Sequence, residues 1–415
     1  MFGAAGLLLA ALCSGCATAP QPPAAPPTGA AVPPAPSEQQ FAAFLAGVRA
    51  EATRQDIRPE TVDRAFAGIR FDPEVVARET TQPEFVRPVW QYLDSAVSEQ
   101  RVATGRQLMA MNMGLLLAVQ RRYGVQPPYI VAIWGLESNY GQNTGGYNVI
   151  EALASLAFGS ERRGAFFREQ LIEALRILDA GHVAPERMVG SWAGAMGQTQ
   201  FMPAAFTKYA VDYDGDGRRD IWGDLPDIFA STANYLASFG WDGTQGWGQE
   251  VRVPPTFPWE LAELDIKKPV AEWTALGVHR VDGSPLPASA APAAIIAPAG
   301  HRGPAFLVTA NFDRIMKYNA STSYALAIGL LADRIAGAGP VVQPWPRDDP
   351  PLSRDERMEL QRLLTARGYD TQGVDGILGR ATRAAIRGFQ REIGEPPDGY
   401  ASLALLNRLR ALQTS

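Results

Sequence analysis

Along most of this chain the apolar positions recur with helical spacing. After a Pro/Ala-rich stretch, "ATAPQPPAAPPTGAAVPPAPSEQQ", the rhythm begins at Phe41, with Phe41, Phe44, Leu45 and Val48 on one face. "RVATGRQLMAMNMGLLLAVQRRYGV" predicts one long apolar helix ending at Gly124, its Met/Leu stripe buried in a core. "QPPYIVAIWGLESNYG" opens with prolines suited to a first helical turn and stops near Gly141. Further helices are expected in "RGAFFREQLIEALRILDAG", "DIFASTANYLASFGW" and "SYALAIGLLADRIAG". Between about residues 247 and 308 the texture changes, and "QEVRVPPTF" and "AFLVTANF" read as strands among Pro/Gly/Ala-rich loops. "AGAGPVVQPWPRDDPP" then reads as a linker. Three short amphipathic segments follow it: "RDERMELQRLLTARG", "RATRAAIRGFQREIG" and "ASLALLNRLRAL". The expected fold class is mainly α (α+β): a helical domain over 40–338 with a β-containing insertion at about 247–308, a linker at 339–351, and a small three-helix domain over 352–415.

Composition narrows the function. The chain has 415 residues, 46% of them hydrophobic, which is enough for a sizeable core. Net charge is −5 and no long basic run occurs, so nucleic acid and an acidic membrane surface are not expected partners. The three histidines, His182, His279 and His301, lie far from the two cysteines, which excludes a Cys/His zinc site. Both cysteines sit in "MFGAAGLLLAALCSGCATAP", whose apolar run is too short for a lasting membrane span and suits an export signal. Small residues Ser14 and Gly15 precede Cys16, as at a bacterial lipoprotein cleavage site; Cys13 stands where leucine is usual, and no Lys or Arg precedes the run. Lipidation of Cys16 is therefore expected, with 1–16 as signal and 17–39 as a semi-rigid tether. A non-lipidated export signal is the alternative. Contact with the membrane would run through that lipid alone, and Ala17 after Cys16 favours the outer membrane. The mature chain is expected to be a monomer.

One carboxylate is oddly placed. Within "AIWGLESNYG", Glu137 has Ile133, Trp134 and Tyr140 at i−4, i−3 and i+3 on its helical face, and their bulk would desolvate it. It lies in the last turn, where the negative end of the helix dipole disfavours a second negative charge. No Lys or Arg occurs between Val125 and Ser160 to pair with it. A carboxyl so placed holds its proton to higher pH than usual, as a general acid must. Periodicity alone equally allows a glutamate facing solvent.

"GLESNYG", followed by "SWAGAMGQTQFMPAAFTKYAVDYDGDGRRDIW" and "NFDRIMKYNASTSYALAIGLLADRI", resembles the membrane-bound lytic murein transglycosylase B family (glycoside hydrolase family 103) over roughly residues 40 to 337. The resemblance implies a lysozyme-like helical fold. It also implies non-hydrolytic cleavage of the MurNAc–GlcNAc β-1,4 bond of peptidoglycan glycan strands, leaving 1,6-anhydromuramoyl ends. Glu137 matches the catalytic position and would act as acid, then base, with the substrate's N-acetyl group in place of a second carboxylate. Near "LESNYG" the next acid, Glu151, is expected to serve the fold. By the same resemblance Ser191 and Gln200 contact the sugar and its N-acetyl group, while Met196 and Phe201 line the floor. Tyr235, Tyr318, Asn319 and Tyr324 match positions beside the acid, and aromatic residues suit a glycan groove. Arg162 and Arg163 match an arginine pair that meets peptide carboxylates; a solvated helix start explains them equally well. A hydrolytic muramidase and a catalytically silent peptidoglycan-binding scaffold are the alternatives.

"DYDGDGRRDIWGD" begins like an EF-hand loop, with Asp212, Asp214 and Asp216 at positions 1, 3 and 5, Gly217 at the sharp turn, and the Arg218 carbonyl next. Position 12 is Gly223, so the pattern fails there. The resemblance implies a longer loop closed by Asp227, with Asp224 the local competitor. A structural Ca²⁺ is expected, and no cofactor is required for the chemistry. The C-terminal "LQRLLTARGYDTQGVDGILGRATRAAIRGFQREIG" resembles the small three-helix peptidoglycan-binding domain of wall enzymes, which would hold the enzyme to its polymer.

Overall fold

The computed structural model describes residues 38–80 and 87–413, and over these the buried apolar side chains gather into three cores. Cys16 and the tether before Glu38 lie outside the described residues. The first core is helical. At its centre runs Pro127–Ser138, apolar all round with Ile130, Val131, Ala132 and Ile133 fully buried. A helix without a polar face must be covered on every side. Glu99–Met111, Met113–Tyr123, Leu225–Ser238 and Thr322–Ile335 supply that cover.

The long helix expected up to Gly124 is two helices bent by 83°. The break falls at Asn112, whose backbone leaves the helical region (φ −108°, ψ 14°) and whose side-chain amide donates to the Leu108 carbonyl at 2.9 Å. Such local bonding competes with helix continuation. The bend also corrects the expectation of a buried Met/Leu stripe. Leu116 and Val119 are buried, whereas Met111 and Leu117 face outward, 71% and 41% exposed. Among the described residues no single helix is long and apolar enough to cross a membrane.

The insertion carries most of the strands. β1 (Tyr147–Asn148) and β2 (Val189–Gly190) form a short antiparallel pair in the helical part. β3 (Gly248–Arg252), β4 (Lys268–Pro269), β5 (His279–Arg280), β6 (Pro292–Ile296) and β7 (Ala305–Val308) form an antiparallel sheet ordered β4-β6-β7-β3-β5. Its register sets Ile295 and Gln249 on either side of Leu307. Successive residues of a strand point to opposite faces. Ala293, Ile295, Ala305 and Leu307 enter the second core with Trp259 and Trp273, while Ala294, Ile296, Phe306 and Val308 join the helical core. Both faces are covered, so these strands read as unbroken apolar runs. "AFLVTANF" leaves the strand at Val308, where the Thr309 hydroxyl accepts from Asn311 N–H and caps the helix Ala310–Tyr318.

The third core belongs to the helices Arg354–Ala366, Arg380–Glu392 and Leu403–Ala411, packed through Leu360, Leu364, Ile386, Phe389 and Leu406. Ser353 and Glu356 form a capping box at its start. This unit does not hang free. Asp398, its side chain only 3% exposed, accepts from the His301 backbone N–H at 2.8 Å and from Gln390 Nε2 at 2.7 Å. Arg387 pairs with Glu263 of the insertion. The segment read as a linker lies along the helical domain, with Trp345 6.4 Å from Trp90 and 6.2 Å from Phe306 and Arg347 forked onto Asp94.

Candidate active site

The helix Pro127–Ser138 ends abruptly, and its end places Glu137. Asn139 (φ 49°), Tyr140 (φ 60°) and Gly141 (φ 83°) all turn left-handed. For Asn139 and Tyr140 this costs roughly 1 kcal/mol each, so something must hold them there. Tyr140 folds back over the helix, its hydroxyl donating to the Arg101 carbonyl at 2.7 Å. Gly135 and Gly105 make the room: a Cβ on either would come within 2.6 Å or 2.5 Å of the Tyr140 side chain. The Ser138 hydroxyl accepts from Gly141 N–H, which locks the reversal.

Glu137 therefore sits one residue from the end of a buried helix, with Ile133, Trp134 and Tyr140 all buried around it. Its carboxyl lies deep among protein atoms and keeps only an edge to a cavity of about 520 Å³. Among the described residues no cation pairs with it. The Tyr324 hydroxyl donates to its Oε1. Burial pushes the carboxyl up to about 7, against the Tyr324 hydrogen bond, which favours the ionised form. Among the described residues lining the cavity Glu137 is the single carboxylate.

The structure brings the remaining expected residues together in two groups and leaves two apart. Asn319 and Tyr324 line the cavity with Glu137. Ser191, Met196, Gln200 and Phe201, outside that lining, share a tight turn in which Met196 bridges to both Gly190 and Phe201. The Ser191 hydroxyl accepts from Ala195 N–H at 3.0 Å, and Met196 is fully buried. Gln200, itself left-handed (φ 52°), donates its amide to the carbonyls of Thr144 and Gly197. Phe201, Tyr235 and Tyr318 form one aromatic cluster, with centroids 4.7–5.7 Å apart. Tyr318 donates to the Thr199 carbonyl, tying the turn to the helix Ala310–Tyr318, and Tyr235 donates to that of Lys317, tying the helix Leu225–Ser238 to the same helix. Arg162 and Arg163 are not in the cavity lining. Arg163 stacks on Phe166 and Phe167 at 4.9 and 4.8 Å, at the start of the helix Gly164–Asp179. Glu151 also lies outside the lining and accepts from the Arg70 backbone, a fold contact.

In the acidic loop, carboxylate oxygens of Asp212, Asp214 and Asp227 lie within 4.8 Å of one another. Asp216 is not gathered with them; it takes the Arg218 guanidinium at 2.9 Å. Asp227, 1% exposed, accepts from Tyr213 and Asp220 N–H, both at 2.7 Å. Asp224 instead caps the helix Leu225–Ser238 through Asp227 N–H. Three carboxylates this close repel unless a cation lies between them, and hard oxygen donors fit Ca²⁺.

Sequence reading missed Arg87, Tyr92 and Arg101, which line the cavity from the segment around the helix Val89–Ala96. Arg101 Nη1 donates to the carbonyls of Ser95 and Ala96, the unpaired end of that helix. Nothing local marks these residues; the aromatic spacing of "RPVWQY" was the one available hint.

A helical, lysozyme-like domain with one proton-holding carboxylate at a cleft defines a class of glycan-cleaving enzymes. Residues 40–333 match the family described as "Transglycosylase SLT domain", and residues 353–409 match "Putative peptidoglycan binding domain". The chain belongs to the SLT transglycosylase family. It is 53% identical to SltB3 from Pseudomonas aeruginosa, solved in complex with NAG-anhNAM-pentapeptide, covering 89% of this chain and 99% of that one with a TM-score of 0.86. Over 214 residues it is 33% identical to membrane-bound lytic murein transglycosylase B of Escherichia coli (strain K12), covering 52% of this chain and 58% of that protein's length. The Escherichia coli lytic transglycosylase Slt35, solved in complex with calcium, is 26% identical over 71% of this chain and 92% of its own, with a TM-score of 0.61.

Proposed function

We propose that this enzyme is a lytic murein transglycosylase that cuts the MurNAc–GlcNAc β-1,4 bond of peptidoglycan without water. The observation that carries the reading is Glu137, the lone carboxylate of its cavity, raised to about 7 by burial. Protonated Glu137 gives its proton to the glycosidic oxygen as the bond to C1 breaks. The N-acetyl group of the muramic acid stabilises the oxocarbenium-like centre. Ionised Glu137, steadied by Tyr324, then takes the proton of the C6 hydroxyl as O6 closes on C1. One proton leaves and one returns, and the product carries a 1,6-anhydro ring. A hydrolase of the two-carboxylate kind needs a second acid as nucleophile or as base for water. The cavity lining offers none among the described residues, which disfavours the muramidase reading.

Asn319 and Tyr324 are assigned to the sugar at the cut, with Ser191, Met196, Gln200 and Phe201 forming the adjoining wall and floor. Arg162 and Arg163 are left for a stem peptide that leaves the cleft along that side. Asp212, Asp214 and Asp227 would hold Ca²⁺, whose part is to neutralise their charge. The C-terminal unit gives a second hold on the polymer, and Cys16 a lipid anchor in the outer membrane that leaves the enzyme in the periplasm. Mass analysis of products from purified sacculi tests the reading. Anhydromuropeptides are expected; free reducing ends would identify a hydrolase, and no release would identify a scaffold.

A further inference from the structure

We infer that Gln198 is a positioning residue for the catalytic carboxylate, joining the end of the acidic loop to the helix that carries Glu137. The inference rests on the role given to Glu137 above. Gln198 Oε1 accepts from Trp134 Nε1 at 2.7 Å, and its Nε2 donates to the Trp222 carbonyl at 2.8 Å. Its backbone N–H donates to the Ile221 carbonyl at 2.8 Å. Main chain and side chain thus hang from two consecutive residues of the loop. Trp134 stands one helical turn before Glu137. On the far side, a Cβ on Gly141 would come within 2.3 Å of Gln198 Oε1, so the amide packs flush against the left-handed turn after Glu137. Gln198 therefore grips the catalytic helix on both sides of its acid.

The anchor is itself fixed. Asp220 Oδ1 accepts from the N–H groups of Trp222 and Gly223, and Trp222 Nε1 donates to the Val189 carbonyl in β2. Gly197 has no room for a side chain, since a Cβ would meet the Ile221 carbonyl at 2.6 Å. The turn carrying Ser191 to Phe201 is thereby clamped to the same two loop residues. Both ends of the amide are used, and only a side chain with a donor and an acceptor at that length can bridge Trp134 to Trp222. Loss of the bridge frees the Trp134 indole, which packs edge-on against Tyr140 and Phe229. The wall that keeps Glu137 dry then loosens.

The test uses the full chain with Gln198→Met, which keeps length and volume but cannot bond, Trp134→Phe, which removes only the indole N–H, and the pair together. Gln198→Met is expected to lower kcat about 10- to 100-fold, the scale of a small misplacement of a catalytic group, with KM within about threefold. Its alkaline limb is expected to move to lower pH as water reaches the carboxyl. The other titratable groups facing Glu137 stay in place: Tyr92, Tyr318, Tyr324, Arg87 and Arg101. Trp134→Phe should shift the limb the same way, and the double variant should be no worse than the stronger single one. If Gln198→Met does not fold, Trp134→Phe decides alone through its pH profile. A profile superimposed on the wild type, or losses that multiply in the double variant, overturns the inference. Glu137→Gln assayed alongside separates the two readings: if it stays active the proposed function falls, and if it is inactive while Gln198→Met keeps full kcat only this inference falls.

Discussion

Of the places in this molecule where burial raises a carboxyl, those of Glu137 and Asp227 are built in opposite ways. Glu137 is one acid with one side-chain donor, its free edge open to a cavity. Asp227 is one of a cluster, and both of its oxygens are occupied by backbone N–H groups of its own loop. Burial lifts Glu137 to about 7 and Asp227 to about 6, with the two N–H bonds opposing the rise at Asp227. A carboxyl whose two oxygens are each held by a backbone N–H fixes the loop around it and keeps its remaining lone pairs for a cation. A carboxyl with an unsatisfied edge on a cleft can exchange a proton with what enters it. The difference lies in what remains unbonded, and burial alone does not reveal it.

The comparison can be broken at either end. Glu137→Gln should cut anhydromuropeptide release by about 10³-fold, within the range seen for general acids, with an unchanged circular dichroism spectrum. Asp227→Ala strands two loop N–H groups and should cost about 2 kcal/mol or more of unfolding free energy. Its dependence on Ca²⁺ should vanish too: a chelator lowers the wild-type melting temperature and leaves the variant's unchanged. Next in size is a pH effect on stability. Because the folded pKa of Glu137 lies above its unfolded value, the native state binds the extra proton between about 4.5 and 7, and stability falls as pH rises through that window. Glu137→Gln removes this penalty, so its unfolding free energy from denaturant titration should exceed the wild type's at pH 8 by on the order of 3 kcal/mol and match it near pH 4. Tyr324→Phe should lower kcat about tenfold and move the alkaline limb upward, since the lost hydrogen bond favoured the ionised carboxylate. Smallest is Asp216→Ala, outside the cluster and solvated, where thermal melting should show no resolvable change. Equal losses at Asp216 and Asp227 would erase the distinction drawn between the gathered acids and their neighbour.

Much of the site was legible locally. The apolar neighbours of Glu137, its place in a last helical turn and the absence of nearby cations all act within a few residues of it. The start of the acidic loop was equally plain, whereas its closing residue needed the family resemblance to separate Asp227 from Asp224. The bend at Asn112 was not legible, because an asparagine inside an apolar run breaks a helix only when packing rewards a corner. Nor was the strap around Trp345 or the docking of Asp398 against the insertion, where "AGAGPVVQPWPRDDPP" has the composition of any linker.

Short-range chemistry, then, determined several of the long helices, two strands of the insertion, the turn that carries the acids and the greasy setting of one glutamate. Tertiary structure alone decided that this glutamate faces a cavity, that Tyr324, 187 residues away, donates to it, and that the C-terminal unit docks on the insertion through His301 and Glu263. The reason is distance along the chain: periodicity reports which face of an element seeks cover, but the covering surface comes from segments whose position no local preference encodes.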